Sequence, residues 1–225
     1  AEGNENVRPR YLLLFGDGSY NNRKSMEKLH SPECNMLLTY QSKTSIDERE
    51  SFVIEDYFGF LEDNSGEEIK VDKVCLGIGR FPISSIKNAR LVVDKLYRYV
   101  HDKDFSSWKN NICIAADDGD EAIHAEQADR GSDTLLLKNT SQPRLGFRVN
   151  KIYIDSYYMD PQTQKYPEAN RELMKQFNEG MLVFNYIGHN DPEVGFTGEG
   201  LFSRYEMDHL TNTRLPLFIT ITCDY

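Results

Sequence analysis

Short apolar runs, each closed by a turn or a reactive polar residue, alternate along this chain with helix-sized amphipathic segments. Arg10–Phe15 leads into Gly16-Asp17-Gly18-Ser19, and Val71–Ile78 leads into Gly79-Arg80-Phe81-Pro82. Asn111–Ala116, Arg148–Ile154, Gly180–Ile187 and Leu215–Thr222 follow the same plan, Arg148–Ile154 with a more alternating character. Continuous apolar runs of this length read as strands buried on both faces. Between them lie Ser84–Val100, Glu121–Ala128, Pro167–Phe177 and Ser203–Leu210. In the first, Ala89, Val92, Val93, Leu96 and Val100 share one helical face, with Ser84 or Ser85 as N-cap. Pro167 suits the first turn of the third. Strands alternating with helices predict an α/β fold with mostly parallel sheets flanked by helices.

The polar stretch Lys103–Asn110 interrupts the pattern. It predicts two α/β subdomains, 1–105 and 106–225. In open parallel sheets ligands bind beyond the carboxyl ends of the strands. Asp17, Arg80, Asp117, His189 and Cys223 close the expected strands and are the residues to inspect.

Composition removes several function classes. The 225 residues carry 26 basic and 36 acidic side chains, a net charge of −10. Such a surface repels phosphate backbones, and no basic run offsets it, so nucleic acid is not an expected partner. No apolar run is long enough to span a bilayer as a helix. The opening residues AEGNENVRPR carry no signal-peptide core, which places any export signal upstream of this chain. The four cysteines, at 34, 75, 113 and 223, form no CxxC pair, which argues against structural zinc and a disulfide framework. Cys75 and Cys113 sit in apolar stretches and read as small buried residues. Gly16-Asp17-Gly18 lacks the third glycine of a dinucleotide loop, since position 21 is Asn21. His30, His101 and His209 lie in polar surroundings and read as surface residues; no role is assigned to His124.

Two runs share one design. MLVFNYIGH ends at His189 and PLFITITC ends at Cys223, 34 positions later, with one helix-sized segment between. One crossover would set the two strands side by side, or close to it, and bring an imidazole and a thiol to one sheet edge. Histidine beside cysteine favours the thiolate or takes the proton as the thiol attacks. Histidine upstream of cysteine is the caspase-like order.

GHN at Gly188–Asn190 and TCD at Thr222–Asp224 resemble the signature blocks of the caspase–gingipain clan. YLLLFGDGSYNNR, EDYFG at Glu55–Gly59, GIGRFP at Gly77–Pro82 and ADDGD at Ala116–Asp120 resemble the gingipain family itself, over nearly the whole chain. Within that family the pattern is most similar to the surface sortase, or signal peptidase, of the type IX secretion system. The resemblance implies two stacked caspase-like subdomains, with His189 and Cys223 as the catalytic pair in the second. It implies an acid oriented on the histidine ring, assigned to Asp117 with Asp118 as the alternative. It implies an oxyanion site from the backbone N–H groups of Asn190 and Cys223. It implies protein or peptide substrates, outer-membrane secretion components as partners, and a secreted or cell-surface location in a Gram-negative bacterium.

No cofactor is required for this chemistry, although gingipains bind calcium. The candidate calcium ligands are Asp118, Asp120 and Glu126, whose spacing is not that of an EF-hand. Two departures from the family stand out. Asn190 replaces the usual glycine after the histidine, and the chain stops two residues beyond Cys223. The second predicts that this piece alone is an incomplete peptidase. The alternative reading is a catalytically inactive gingipain-like binding or scaffold domain.

Overall fold

Parallel pairing of the first two expected strands organises the N-terminal part of the molecule. The computed structural model describes residues 9–18, 37–42, 52–69, 71–117, 119–141, 146–190 and 200–222. The chain divides into two units, Ala1–Asp102 and Lys103–Tyr225. The first contains β1 (Tyr11–Phe15), β2 (Tyr40–Gln41), β3 (Val53–Ile54), β4 (Gly77–Phe81) and α1 (Ile86–His101). β1 pairs in parallel with β4, and β2 pairs antiparallel with β3.

The strand expected at Val71–Ile78 lies further along. Tyr11 pairs with Gly77 and Phe15 with Phe81, so Gly79, Arg80 and Phe81 belong to the strand and not to a turn. Pairing stops at Pro82, which has no N–H to donate. Arg80 therefore sits inside β4, where it clamps this unit. Its Nε and Nη2 meet the two oxygens of Glu55 at 2.6 and 2.9 Å, and it also donates to the carbonyls of Gly16 and Leu38. Such forked, charge-assisted bonds fix geometry well. Asp17 is likewise structural: its N–H donates to the Ile83 carbonyl, and its carboxylate accepts from the Gly18 N–H.

α1 starts where expected, with the Ser85 hydroxyl accepting from the Asn88 N–H. Among the described residues none of its side chains is buried. Cys75 corrects a sequence expectation: it is exposed, because it lies in the extended approach to β4 rather than within the sheet.

The second unit contains β5 (Asn111–Ala116), α2 (Ile123–Ser141), β6 (Arg148–Tyr153), α3 (Pro167–Glu179), β7 (Val183–Ile187), α4 (Arg204–Asp208) and β8 (Leu217–Ile221). The strands form one all-parallel sheet in the order β6-β5-β7-β8. Central β5 is buried along nearly its whole length, which explains the unbroken apolar sequence NICIAA. Cys113 and Ala115 face one way, with Phe184 and Tyr186 of β7, onto Ala169, Leu173 and Phe177 of α3. Ile112, Ile114, Ala116 and Ile187 face the other way, onto Ala128 of α2. The two helices thus cover opposite faces. Phe177 stacks on Phe202 at 5.2 Å, and burying such a side chain contributes about 1.5–3 kcal/mol. Burial pushes the Cys113 thiol up to about 12, so it is a packing residue and not a nucleophile.

α2 runs to Ser141, well past the Ala128 where the sequence suggested a stop. Gly131 and Ser132 look like breakers, yet tertiary contact overrides them: Ser132 is fully buried and its hydroxyl donates back to the Asp129 carbonyl. Pro167 occupies the first turn of α3, and Ser203 with Glu206 forms a capping box on α4. Among the described residues no helix is long and apolar enough to cross a membrane.

Candidate active site

The sheet reverses its winding between β5 and β7. From β5 the chain crosses to β6 on one side, then returns to β7 and β8 on the other. The carboxyl ends flanking that reversal form the natural ligand crevice of an open parallel sheet. Asp117 follows β5 there, and Gly188-His189 follows β7.

Asp117 is only 2% exposed. A buried carboxylate is tolerated when its oxygens are satisfied. One oxygen accepts from the His189 backbone N–H at 2.5 Å, and the other meets Nδ1 of His124 at 2.5 Å. The Tyr186 hydroxyl, 3.4 Å from Asp117, donates to the His189 carbonyl at 2.7 Å. His189 is therefore gripped by both backbone polar groups. Gly188 is required for this approach, since a Cβ there would come within 2.6 Å of the Asp117 carboxylate.

The His189 ring projects outward and is about half exposed. Its Nε2 lies 3.0 Å from Oδ2 of Asp120. Here the structure differs from the sequence expectation. Asp117 was expected on the ring of His189; instead it holds that residue's backbone and the ring of His124, while Asp120 meets the ring. The cause is the path of the chain after β5. Asp117 is turned inward against Gly188, and the loop doubles back through Gly119. Asp120, Glu121 and Ala122 then adopt consecutive left-handed conformations, with φ of 53°, 57° and 65°. This costs non-glycine residues about 1–2 kcal/mol each, and strain of this kind gathers at functional sites. The turn aims the Asp120 carboxylate at the imidazole.

His124, which carried no sequence assignment, is part of the same corner. Its ring stands edge-on to that of His189, with centroids 5.0 Å apart. The signal for it was weak: one histidine seven positions after Asp117, at the start of a helix. His101 and His209 are exposed, as expected, each with Nδ1 on the carbonyl four residues earlier. His30, Cys34, Asp118 and Cys223 lie outside the described residues. Asn190 is half-buried beside His189.

Of the calcium ligands expected from the sequence, Asp118 lies outside the described residues, and the other two have different partners. Asp120 faces the imidazoles, whereas Glu126 faces Arg130 at 3.6 Å on the exposed side of α2. The grouped donors are instead Asp117, His124 and His189. Two imidazoles suit transition metals, while calcium takes oxygen shells.

A family model for peptidase family C25 matches residues 1–225. The chain belongs to that family of cysteine-type peptidases. No curated protein matches it significantly. Among solved structures, the complex of Porphyromonas gingivalis RgpB pro- and mature domains is similar, with a TM-score of 0.54 and 19% identity. That likeness covers 99% of this chain and 43% of the other, so the C25 chain described here spans less than half of that relative. At this identity the likeness establishes the fold: mixed α/β, mostly parallel sheets and flanking helices of the caspase-like gingipain kind.

Proposed function

We propose that this chain carries part of a cysteine endopeptidase or sortase-type transpeptidase, with Cys223 as nucleophile and His189 as its proton partner. The observation that carries this reading is the placement of His189. It lies just beyond β7, fixed through its own backbone by buried Asp117, with its ring directed by Asp120. β8 is the parallel neighbour of β7, and Ile187 is in register with Ile221. Cys223 follows Ile221 by two positions, as His189 follows Ile187.

In this mechanism Asp120 holds the Nε2 proton of His189, which leaves Nδ1 to take the proton from the Cys223 thiol. The thiolate attacks the scissile carbonyl, and the backbone N–H groups of Asn190 and Cys223 receive the oxyanion. His189 then passes the proton to the leaving amine. An acyl-enzyme forms, and water or an acceptor amine resolves it. The roles of Asp117 and Asp120 are to position the imidazole and to stabilise imidazolium. The finer resemblance, to PorU, the type IX secretion sortase, favours an amine acceptor, protein substrates at the cell surface of a Gram-negative bacterium, and outer-membrane secretion components as partners.

The test is a mixed peptide library offered with and without a primary-amine acceptor, to this chain and to a form extended beyond Tyr225. Cleavage that vanishes in Cys223→Ala supports the peptidase reading, and acceptor-linked product supports the sortase reading. Inactivity of both forms with Cys223 reduced would instead favour an inactive scaffold domain.

A further inference from the structure

We propose that Asp117, His124 and His189, with Asp120 at the rim, form a binding site for a zinc-type divalent transition-metal ion, and that occupancy switches the peptidase off. One ligand atom from each of the first three lies within 4.8 Å of the other two. Oδ2 of Asp120 lies 3.0 Å from Nε2 of His189 and 3.9 Å from Nε2 of His124. Two imidazoles and the Asp117 carboxylate supply three donors, and Asp120 or water at the rim would complete a tetrahedral site. With bonds of about 2.0–2.2 Å, zinc needs its ligand atoms roughly 3.4 Å apart. On binding, the 2.5 Å contact between His124 and Asp117 would open to that spacing and the wider separations would close.

The corner is built for this on one side and open on the other. Asp117 is buried and His124 is only 15% exposed, so two donors are fixed. Asp120 and His189 are 63% and 55% exposed and are free to adjust around an arriving ion. His124 Nδ1 already meets the Asp117 carboxylate at 2.5 Å, and an arriving ion would replace that hydrogen bond. Gly119 keeps the space clear: a Cβ there would fall 2.8 Å from the His189 ring. The donor set selects borderline ions such as zinc over calcium or magnesium.

The binding claim stands on this geometry alone. The inhibitory claim rests on the proposed function, because a metal-bound His189 cannot take the thiol proton. The two are separated by one set of experiments on the whole chain, in a Cys75→Ser background that removes the exposed thiol among the described residues. Titration with zinc alone is read by calorimetry and by histidine-ring NMR. One ion per chain is expected, with the His124 and His189 signals moving and those of His101 and His209 unchanged. His124→Ala, checked for folding by circular dichroism, is expected to weaken binding about tenfold or more. If that variant does not fold, the ring signals of the parent decide. Absence of binding, binding that moves neither ring, or unchanged affinity in folded His124→Ala overturns the site. For activity, zinc is expected to stop peptide cleavage and a chelator to restore it. Cleavage that continues with both rings metal-bound overturns the switch. Zinc at both rings, where neither this chain nor the extended form ever cleaves, supports the site and sinks the peptidase reading.

Discussion

The two ends of the four-stranded sheet are held by opposite means. At the amino end, one carboxylate ties distant parts of the unit together. Asp104 accepts from the Ser106 N–H, from Nε1 of buried Trp108 and from Nε of Arg214, all within 3.1 Å. Arg214 also donates to the Glu179 carbonyl at the end of α3. The chain turns there at Gly180, whose φ of 94° suits glycine and whose missing Cβ admits the Arg214 stem at 2.6 Å. At the carboxyl end, Asp117 also gathers partners, but it does so beneath an exposed imidazole and a strained left-handed turn. One end is relaxed and closed. The other is strained and open. That difference separates a structural carboxylate from the one proposed to act in catalysis more clearly than residue type does.

The comparison can be broken first at Asp117. Asp117→Asn keeps the shape but removes the charge and one acceptor role. Turnover is expected to fall on the order of 10²–10⁴-fold, with a much smaller change in KM. A steady-state assay of the extended protein checks this, and unchanged turnover would make Asp117 a purely structural residue like Asp104.

A smaller effect sharpens the strain side of the contrast. Ala122→Gly relieves one left-handed residue and is expected to stabilise the unit by about 1 kcal/mol. That corresponds to roughly 2–4 °C in Tm for a chain of this size. The same change is expected to slow turnover, because Asp120 is then held less firmly on His189. An increase in both would show that the strain serves no positioning role.

The smallest effect tests the amino end through pH. Hydrogen bonds from Ser106, and then the charge of Arg214, hold the Asp104 carboxyl down at about 2, from 3.8. A carboxyl lowered in the folded state contributes stability above its unfolded value, and that contribution is lost as pH falls through the folded value. Asp104→Asn is therefore expected to melt below the parent at neutral pH and to converge with it between about pH 4 and pH 2. Thermal melts across that range read the difference, and parallel curves would remove Asp104 from the lock.

Much of this was legible in the chain. The run NICIAA announced a doubly covered strand, and the matched endings of MLVFNYIGH and PLFITITC announced parallel neighbours, which β7 and β8 are. The helix that runs on through Gly131 and Ser132 was hidden, because burial, not local propensity, keeps it going. The strand at Gly77–Phe81 was misread because glycine and arginine looked like a turn, while its partner β1 set the register. The division of labour among Asp117, Asp120 and His124 could not be read at all. It depends on a backbone reversal through three left-handed residues, none of them glycine, for which residue type gives no warning.

The pairing of His189 with Cys223 is most directly tested by thiol alkylation. Iodoacetamide is applied at pH 6 to the reduced chain, and labelling of each cysteine is followed by peptide mass spectrometry. An ordinary thiol reacts slowly at that pH, and exposed Cys75 serves as the internal reference. Cys223 is predicted to react on the order of tenfold faster than Cys75, and His189→Ala is predicted to bring it down to the Cys75 rate. Equal rates for the two thiols in the parent, or a fast Cys223 that ignores loss of His189, would contradict the pair.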